Sequence, residues 1–452
     1  MNKKGYVFYN RIWCRLLAAV FLVCCMCQSF VPVSAEKPSI TAEAAILIDG
    51  NTGNLLFGKN VDKAVFPAST TKIMTAIVAL DAVKNGEISL EQELVLSKEA
   101  YDTLAADGSS IALKVGETMP LKNLLEGLLI ASGNDAAVVI AQGVAGSIES
   151  FVERMNQKAK ELGLESTHFV NPHGLHDPQH YTTPKDMAQM ALVAMKNETF
   201  REIVECAHIY LPATNMSEKR YFINTNNLVS RMRYPYYFYD YATGIKTGST
   251  SEAGYCLVSS AEKGDKFVIG AIFGASDLAV SHYESKDVLE HGLTDFSAQR
   301  LAKRDAIFGE VKVKQAADGT DHILLSAEEN LDALFPNGGN VENVEVVTEI
   351  PEKVYAPIYS GQVLGKAIFN YNGNKVGEVN LISTVEIDRH FLWFIPAFFE
   401  WLWSFVPVRI AVYVVLGLFV GFVVLIVVGF VRALKKSKRK RRRSTRYNPP
   451  RY

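Results

Sequence analysis

Three short polar motifs carry the side chains of this chain that could do chemistry. They are Ser69-Thr70-Thr71-Lys72, Ser132-Gly133-Asn134 and Lys246-Thr247-Gly248. Their residue types divide an acyl transfer into a nucleophile with its base, a proton relay, and a cation with a hydroxyl for binding a carboxylate. Each motif alone is weak evidence, because serine and lysine are common and short patterns recur by chance. Their occurrence together, in this order, makes the combination informative.

The first motif needs a helix to bring its two reactive groups together. Positions i and i+3 share one face of a helix, so on a helix beginning at Ser69 the Lys72 amine reaches the Ser69 hydroxyl. Free lysine is cationic at neutral pH, but burial and a second cation, here Lys246, favour the neutral amine. The helix start also offers N–H groups to an oxyanion. Taken alone, the motif is better explained by Ser69 as a simple helix N-cap.

The elements that position these motifs lie in residues 36–301, which are predicted to form one domain. An apolar hairpin, 44–49 with 54–57, precedes a helix over 69–84. Further helical patterns cover 121–129, 136–144, 148–162 and 285–301, and strand patterns cover 255–261 and 266–274. Strands at both ends with helices between them predict an α+β fold with one antiparallel sheet covered by helices.

Residues 302–388 differ in composition and predict a small all-β domain. Short β-type runs at 306–308, 311–313, 344–348 and 375–382 alternate with Gly- and Asn-rich turns. The three motifs lie outside this segment, so the default prediction for it is a spacer or a docking module.

The two ends of the chain predict its placement at a membrane. Residues 1–35 are basic, then apolar, then small, which is typical of a secretory signal peptide cleaved after Ala35; an N-terminal anchor is the less favoured alternative. Residues 410–431 are uncharged and long enough to cross a bilayer, and the basic residues 432–452 indicate a cytoplasmic tail. The aromatic segment 389–409 suits the outer membrane interface.

Charge and cysteine content narrow the class of partner. Without the four basic residues of the leader and the 11 of the tail, 32 basic side chains face 48 acidic ones, a net charge of about −16. Such an acidic exterior is a poor partner for nucleic acid, which we therefore exclude. Four of the six cysteines lie in the leader, and the sequence leaves open whether Cys206 and Cys256 pair.

Longer stretches around the motifs resemble a known family. They cover residues 67–76, 132–137, 171–175, 181–187 and 244–250. With them, residues 43–300 resemble the serine-type D-alanyl-D-alanine carboxypeptidases, the low-molecular-mass penicillin-binding proteins of peptidase family S11. The resemblance implies a β-lactamase/transpeptidase-like domain for residues 36–301, and a small β domain and a membrane-proximal end suit the same family.

The resemblance implies a role for each motif residue. Ser69 forms the acyl-enzyme, Lys72 is the general base, and Ser132 relays a proton to the leaving D-alanine nitrogen. Backbone N–H groups of Ser69 and Ser249 form the oxyanion hole.

The substrate-binding roles follow in the same way. Asn134 holds a substrate amide, and Lys246 with Thr247 binds the terminal carboxylate. Gly248 lets the strand approach the substrate closely. No cofactor and no metal is expected.

Other polar residues have structural explanations. His173, His176 and His180 could suggest a metal site, but a loop bordering the cleft is the favoured interpretation. Asp135 fits a helix-start residue better than a catalytic carboxylate. Ser109–Ser110 resembles a family segment near the site, and its role stays open.

One segment departs from the family pattern. Residues 231–241 are unusually aromatic and directly precede the carboxylate-binding strand. They are interpreted as a cleft wall, with a hydrophobic surface or a partner contact as the equal alternative. If they shape the cleft, replacing Tyr237 and Tyr239 by Ala changes peptide turnover more than stability.

The resemblance implies a bacterial membrane-anchored enzyme that removes the terminal D-alanine from peptidoglycan stem pentapeptides, with β-lactam antibiotics as covalent inhibitors. A D,D-endopeptidase that cuts existing cross-links is one alternative, and an anchored sensor that binds β-lactams or peptidoglycan without turnover is another. A β-lactamase is disfavoured, because a β domain and a membrane span suit a fixed polymeric substrate better.

Overall fold

The computed structural model describes residues 37–106, 108–339, 341–390, 398 and 401–444. The predicted signal peptide 1–35 and residues 391–397, 399 and 400 of the aromatic segment 389–409 lie outside these residues. The chain divides into two compact units. The first runs to residue 306 and includes 327–349 and 366–380, and the second contains 307–326, 350–365 and the residues from 381 onward.

A five-stranded antiparallel sheet organises the first unit. Its strands, in chain order, are β1 (Ala44–Asp49), β2 (Leu55–Lys59), β7 (Ala242–Thr250), β8 (Gly254–Lys263) and β9 (Lys266–Ala275). Between β2 and β7 the chain forms two short antiparallel pairs outside this sheet. They are β3 (Glu93–Val95) with β4 (Thr118–Pro120), and β5 (His208–Leu211) with β6 (Arg220–Ile223). The spatial order β2-β1-β9-β8-β7 places β7 at one edge.

Helices cover both faces of this sheet. They are α1 (Lys72–Lys84), α2 (Lys98–Tyr101), α3 (Leu121–Ile130), α4 (Asn134–Ala145), α5 (Ile148–Glu161), α6 (Pro184–Met195), α7 (Glu198–Glu205) and α8 (Leu278–Thr294). Successive side chains of a strand point to opposite faces. Thus Ile46 and Ile48 of β1 join the core formed with α1 and α3 to α7, whereas Ala45 and Leu47 join the core formed with α8. The predicted antiparallel sheet covered by helices is confirmed.

Polar caps fix the starts of several helices. Ser147, Thr183 and Asp277 each accept a hydrogen bond from the backbone N–H three residues on, at the starts of α5, α6 and α8. The predicted helix over 285–301 is wrong at both ends, because α8 begins after Asp277 and residues 296–302 form strand β10 (Phe296–Ala302). The partner of β10 is β13 (Leu331–Pro336), and a local sequence pattern cannot show so distant a pairing.

Strands dominate residues 302–388, as the sequence predicts. After β10 they are β11 (Ile307–Lys314), β12 (His322–Ala327), β13, β14 (Val344–Glu349), β15 (Lys353–Tyr355), β16 (Val363–Tyr371) and β17 (Asn374–Ser383). Within the first unit β14 pairs with β16, and within the second β11 pairs with β12 and, in parallel, with β15. The domain boundary at residue 302 stays a prediction.

A long helix, α9 (Val406–Ser444), ends the described chain. Its segment Val406–Ser437 contains an 18-residue stretch with a mean hydropathy of 3.2, and the segment is long and apolar enough to cross a membrane. The predicted span 410–431 lies inside this segment.

Candidate active site

Ser69 and Lys72 meet at the start of α1. Ser69 lies in a 3-10 turn, Ala68–Thr71, that leads directly into the helix. Lys72 Nζ lies 2.9 Å from Ser69 Oγ, 2.7 Å from Asn134 Oδ1 and 2.8 Å from the backbone carbonyl oxygen of His173. These three acceptors match the three protons of an ammonium group. Once one proton is lost, the amine lone pair faces the Ser69 hydroxyl.

Burial makes the neutral amine of Lys72 accessible. The side chain is completely buried. Desolvation is the main cause that holds its pKa well below the ordinary 10.5, the charge of Lys246 lowers it further, and Asp135 opposes the shift. The geometry and the electrostatics therefore both suit Lys72 to accept a proton from Ser69.

The segment 171–175 packs directly against the Ser69 turn. Gly174 has φ +86°, and a Cβ atom there would lie 1.8 Å from the carbonyl oxygen of Ala68, so only glycine fits. Ala68 itself has φ +48°, a conformation that is rare for residues other than glycine. This close approach also directs the His173 carbonyl toward Lys72.

The second motif stands at the start of α4. Ser132 has φ +63° and Asn134 is the first residue of the helix, and both side chains are buried. Asp135 accepts hydrogen bonds from the Ser110 hydroxyl (2.5 Å) and from the backbone N–H groups of Ile111 and Leu113 (both 3.0 Å). Asp135 therefore anchors the neighbouring loop, in keeping with the structural interpretation of this carboxylate.

The third motif runs along the edge strand β7. A Cβ atom on Gly248 would lie 3.0 Å from the backbone nitrogen of Ser69, so the strand passes directly beside the Ser69 turn. The Thr247 hydroxyl donates to the Thr225 hydroxyl at 2.8 Å. Lys246 is completely buried, and its Nζ donates to the Thr247 carbonyl at 3.0 Å. Burial lowers the pKa of Lys246 to about 7.

One cavity of about 270 Å³ joins the three motifs. Of the predicted site residues, Ser69, Ser132, Thr247, Gly248 and Ser249 line it, and the contacts of Lys72, Asn134 and Lys246 described above place them beside these lining residues. The other lining residues are Ser109, Thr225, Asn227, Arg233, Tyr234, Tyr255, Cys256, Leu278, Ser281 and His282.

Most of these additional lining residues were not predicted from the sequence. The polar run 224–227 is the one sequence signal that points to Thr225 and Asn227. Leu278, Ser281 and His282 carry no signal, because the sequence pattern places the start of α8 too late.

The aromatic segment divides between cavity and core. Tyr234 lines the cavity, whereas Tyr237 and Tyr239 are buried, with only 5% and 6% of their surfaces exposed. The Tyr237 ring lies 4.9 Å from the His282 ring, and the Tyr239 hydroxyl donates to Glu290 Oε2 at 2.6 Å. Both tyrosines therefore pack against α8, which favours an effect of their replacement on stability over an effect on turnover.

The histidines and cysteines near the site have structural contacts. Burial lowers the pKa of His173 to about 3 and that of His180 to about 4, and His180 Nε2 contacts the Thr71 hydroxyl at 2.8 Å. No cluster of three metal-ligating side chains occurs among the described residues. Cys206 and Cys256 are both free thiols, and burial raises the pKa of Cys256 to about 12.

Known proteins share both the sequence and the architecture. The family model described as D-alanyl-D-alanine carboxypeptidase matches residues 31–277, and the model of the penicillin-binding protein 5 C-terminal domain matches residues 296–389. D-alanyl-D-alanine carboxypeptidase DacF of Bacillus subtilis (strain 168) is 34% identical over 383 residues, which cover 84% of this chain and 95% of that protein. DacC of Escherichia coli (strain K12) is 33% identical over 380 residues, covering 83% and 90%.

A solved structure extends the likeness to the fold. Penicillin-binding protein 5 from Haemophilus influenzae superimposes with a TM-score of 0.63 at 28% identity, covering 78% of this chain and 99% of that one. The predicted α+β domain followed by a small all-β domain is therefore confirmed. This chain belongs to the D-alanyl-D-alanine carboxypeptidase family, peptidase family S11.

Proposed function

We propose that this chain is a membrane-anchored serine D-alanyl-D-alanine carboxypeptidase that removes the terminal D-alanine from peptidoglycan stem pentapeptides. The observation that carries the proposal is the contact of 2.9 Å between the buried Lys72 amine and the Ser69 hydroxyl, beside a cavity lined by Ser132, Thr247 and Ser249. Family membership supports the same substrate class.

Acylation begins with proton transfer to Lys72. Ser69 Oγ attacks the carbonyl carbon of the penultimate D-alanine while neutral Lys72 takes the hydroxyl proton. The backbone N–H groups of Ser69 and Ser249 stabilise the negative charge that develops on the carbonyl oxygen. The support for this pairing is the close packing of β7 against the Ser69 turn at Gly248.

Collapse of the intermediate returns that proton to the leaving group. The proton passes from Lys72 through the Ser132 hydroxyl to the nitrogen of the terminal D-alanine, the C–N bond breaks, and free D-alanine leaves. Asn134 holds the substrate amide, while Lys246 and Thr247 hold the terminal carboxylate. Water then attacks the ester carbonyl and gives a proton to Lys72. The bond between the acyl carbon and Ser69 Oγ breaks, Lys72 returns the proton to Ser69 Oγ, and the shortened peptide leaves. β-Lactams acylate Ser69 in the same first step.

Helix α9 supports a membrane location for this chemistry. Its apolar segment Val406–Ser437 is followed within the same helix by the basic residues 438–443, which favours a cytoplasmic C-terminus. The catalytic domain then lies on the extracytoplasmic side of the bacterial membrane, with residues 1–35 as its signal peptide.

Incubation of the detergent-solubilised full chain with an N-acetylated pentapeptide ending in D-alanyl-D-alanine tests the proposal. We expect stoichiometric release of free D-alanine, which Ser69→Ala abolishes. Ser89→Ala, at an exposed serine away from the cavity, is the matched control and should retain full activity. Labelling of Ser69 by penicillin without D-alanine release would contradict turnover and favour the sensor, and cleavage confined to cross-linked dimers would favour the endopeptidase.

A further inference from the structure

The described lining of the cavity has a single permanent charge. Among its 15 described residues, Arg233 is the only Lys or Arg and there is no Asp or Glu. His282 is the remaining titratable base, and burial lowers its pKa. Residues 36–431 carry a net charge of about −16. Against this background, a cavity whose described lining has one guanidinium and no carboxylate is complementary to an anion.

Two arginines of the same segment differ in their partners. Arg231 Nη2 donates to Asp240 Oδ1 at 2.9 Å, and its guanidinium lies 4.1 Å from the centre of the Phe238 ring. The exposed Arg233 forms no ion pair with any carboxylate in the part of the chain that the structure describes. Its five N–H donors are therefore available to a ligand in the cavity.

The aromatic residues hold Arg233 at this position. The Tyr237 backbone N–H donates to the Tyr234 carbonyl at 3.1 Å, within the 3-10 turn that follows Tyr234. Tyr237 packs on His282, and Tyr239 donates to Glu290, so the segment is attached to α8 just beyond the turn. The wall that carries Arg233 is thus fixed to a helix of the core.

The proposed carboxylate ligands of β7 do not supply a permanent positive charge. Lys246 is fully buried, its Nζ is engaged by the Thr247 carbonyl, and its pKa is lowered to about 7 by burial. It therefore loses part of its positive charge at neutral pH. An arginine keeps its charge over the whole working range and binds a carboxylate through two parallel N–H groups.

We propose that Arg233 is the specificity-determining residue that binds the free carboxylate of the terminal D-alanine. The proposal rests on the carboxypeptidase function proposed above and assigns a role to the aromatic segment, which presents Arg233 to the cavity. Arg233 selects chains with a free C-terminal carboxylate over chains in which this group is blocked. It touches the substrate away from the scissile bond and takes no part in proton transfer.

The test compares two substrates and four proteins. The substrates are N,N′-diacetyl-L-lysyl-D-alanyl-D-alanine and the same peptide with a C-terminal amide, and the proteins are the wild-type full chain, Arg233→Gln, Arg233→Lys and Arg231→Gln. We expect Arg233→Gln to lower kcat/KM for the free carboxylate about tenfold, the equivalent of one charge-assisted hydrogen bond, and to leave the amide unchanged. Arg233→Lys should restore part of the preference, and Arg231→Gln should keep all of it.

The selectivity ratio is the deciding quantity, because a misfolded variant would lose both substrates equally. An unchanged ratio in Arg233→Gln, or the same change in Arg231→Gln, overturns the proposal. If the wild type releases no D-alanine, the proposed function fails, and Arg233 is then judged separately from the rate at which Ser69 reacts with a penicillin and with its methyl ester. Loss of the preference for the free acid in Arg233→Gln supports the role of Arg233, and an unchanged preference rejects it.

Discussion

The floor and the wall of the cavity differ in how they hold their charged side chain: it is buried and hydrogen-bonded in the floor, and exposed in the wall. The floor consists of Ser69, Lys72 and Asn134, and here the lysine is fully buried and bonded to three acceptors. The wall consists of residues 233–239. It presents Arg233, which is exposed and forms no ion pair among the described residues, from a segment attached by buried tyrosines. The difference matches the two proposed tasks: a dense polar network would carry out the reaction, and an accessible charge on a fixed support would select the substrate.

This contrast follows from the cost of desolvation. A buried amine that loses its partners costs about 1–3 kcal/mol for each group left unsatisfied, so every residue of the floor depends on the others. A guanidinium in contact with water has no such dependence, and it can be exchanged at little cost to stability. Substitutions in the floor should therefore affect the chemical step, whereas substitutions in the wall should divide into effects on stability and effects on binding.

Replacement of Lys72 by Met is the strongest test of the floor. We expect the rate of Ser69 acylation by penicillin to fall by about 10³-fold, because the proposed general base is lost while the shape of the side chain is kept. Stopped-flow measurement with a fluorescent penicillin gives this rate. Lys122→Met, at an exposed lysine of α3, is the matched control and should react like the wild type. Rapid acylation of folded Lys72→Met would remove Lys72 from the role of base.

Sequence reasoning succeeds for the floor, because its geometry is local. Ser69 and Lys72 are three residues apart at a helix start, and this spacing alone brings their side chains together. The buried strands β1, β8 and β9 are likewise predictable from continuous apolar runs. These elements and the three motifs are enough to predict the fold class and the motif residues of the cavity.

The contacts of the wall cannot be predicted from the sequence, because they join residues that are far apart in the chain. Tyr239 bonds Glu290, 51 residues away, and nothing in the pattern of either segment predicts the contact. The same cause explains the misplaced end of α8, since strand β10 is defined by pairing with β13. An alternating tyrosine run shows that a segment packs on something, but only the fold determines which rings face the core and which face the cavity.

Tyr239→Phe tests the supporting part of the wall. The substitution keeps the ring but removes the hydroxyl that donates to Glu290, so we expect a loss of about 1–2 kcal/mol in the free energy of unfolding. Turnover per folded molecule should not change. Tyr234→Phe, at the exposed tyrosine that lines the cavity, should change stability by less than about 0.5 kcal/mol. Denaturant unfolding measures both variants, and equal losses of stability would show that the two tyrosines do not differ in support.

The pH dependence of substrate binding gives the smallest and most selective test of the wall. Lys246, with a pKa of about 7, loses its proton as the pH rises above that value, and with the proton it loses its attraction for the substrate carboxylate. An arginine side chain does not titrate in this range, so we expect Arg233 in the wild type to compensate for this loss. In Arg233→Gln the compensation is absent.

We therefore expect the KM of Arg233→Gln, relative to the wild-type KM, to rise about threefold between pH 6 and pH 8.5, because a partly screened charge contributes less than one full ion pair. The titration of Lys72 is common to both proteins and cancels in this ratio. Steady-state D-alanine release across this range measures it, with Arg231→Gln as the control whose ratio stays flat. A ratio that stays flat or falls as the pH rises would mean that Arg233 does not compensate for the charge that Lys246 loses.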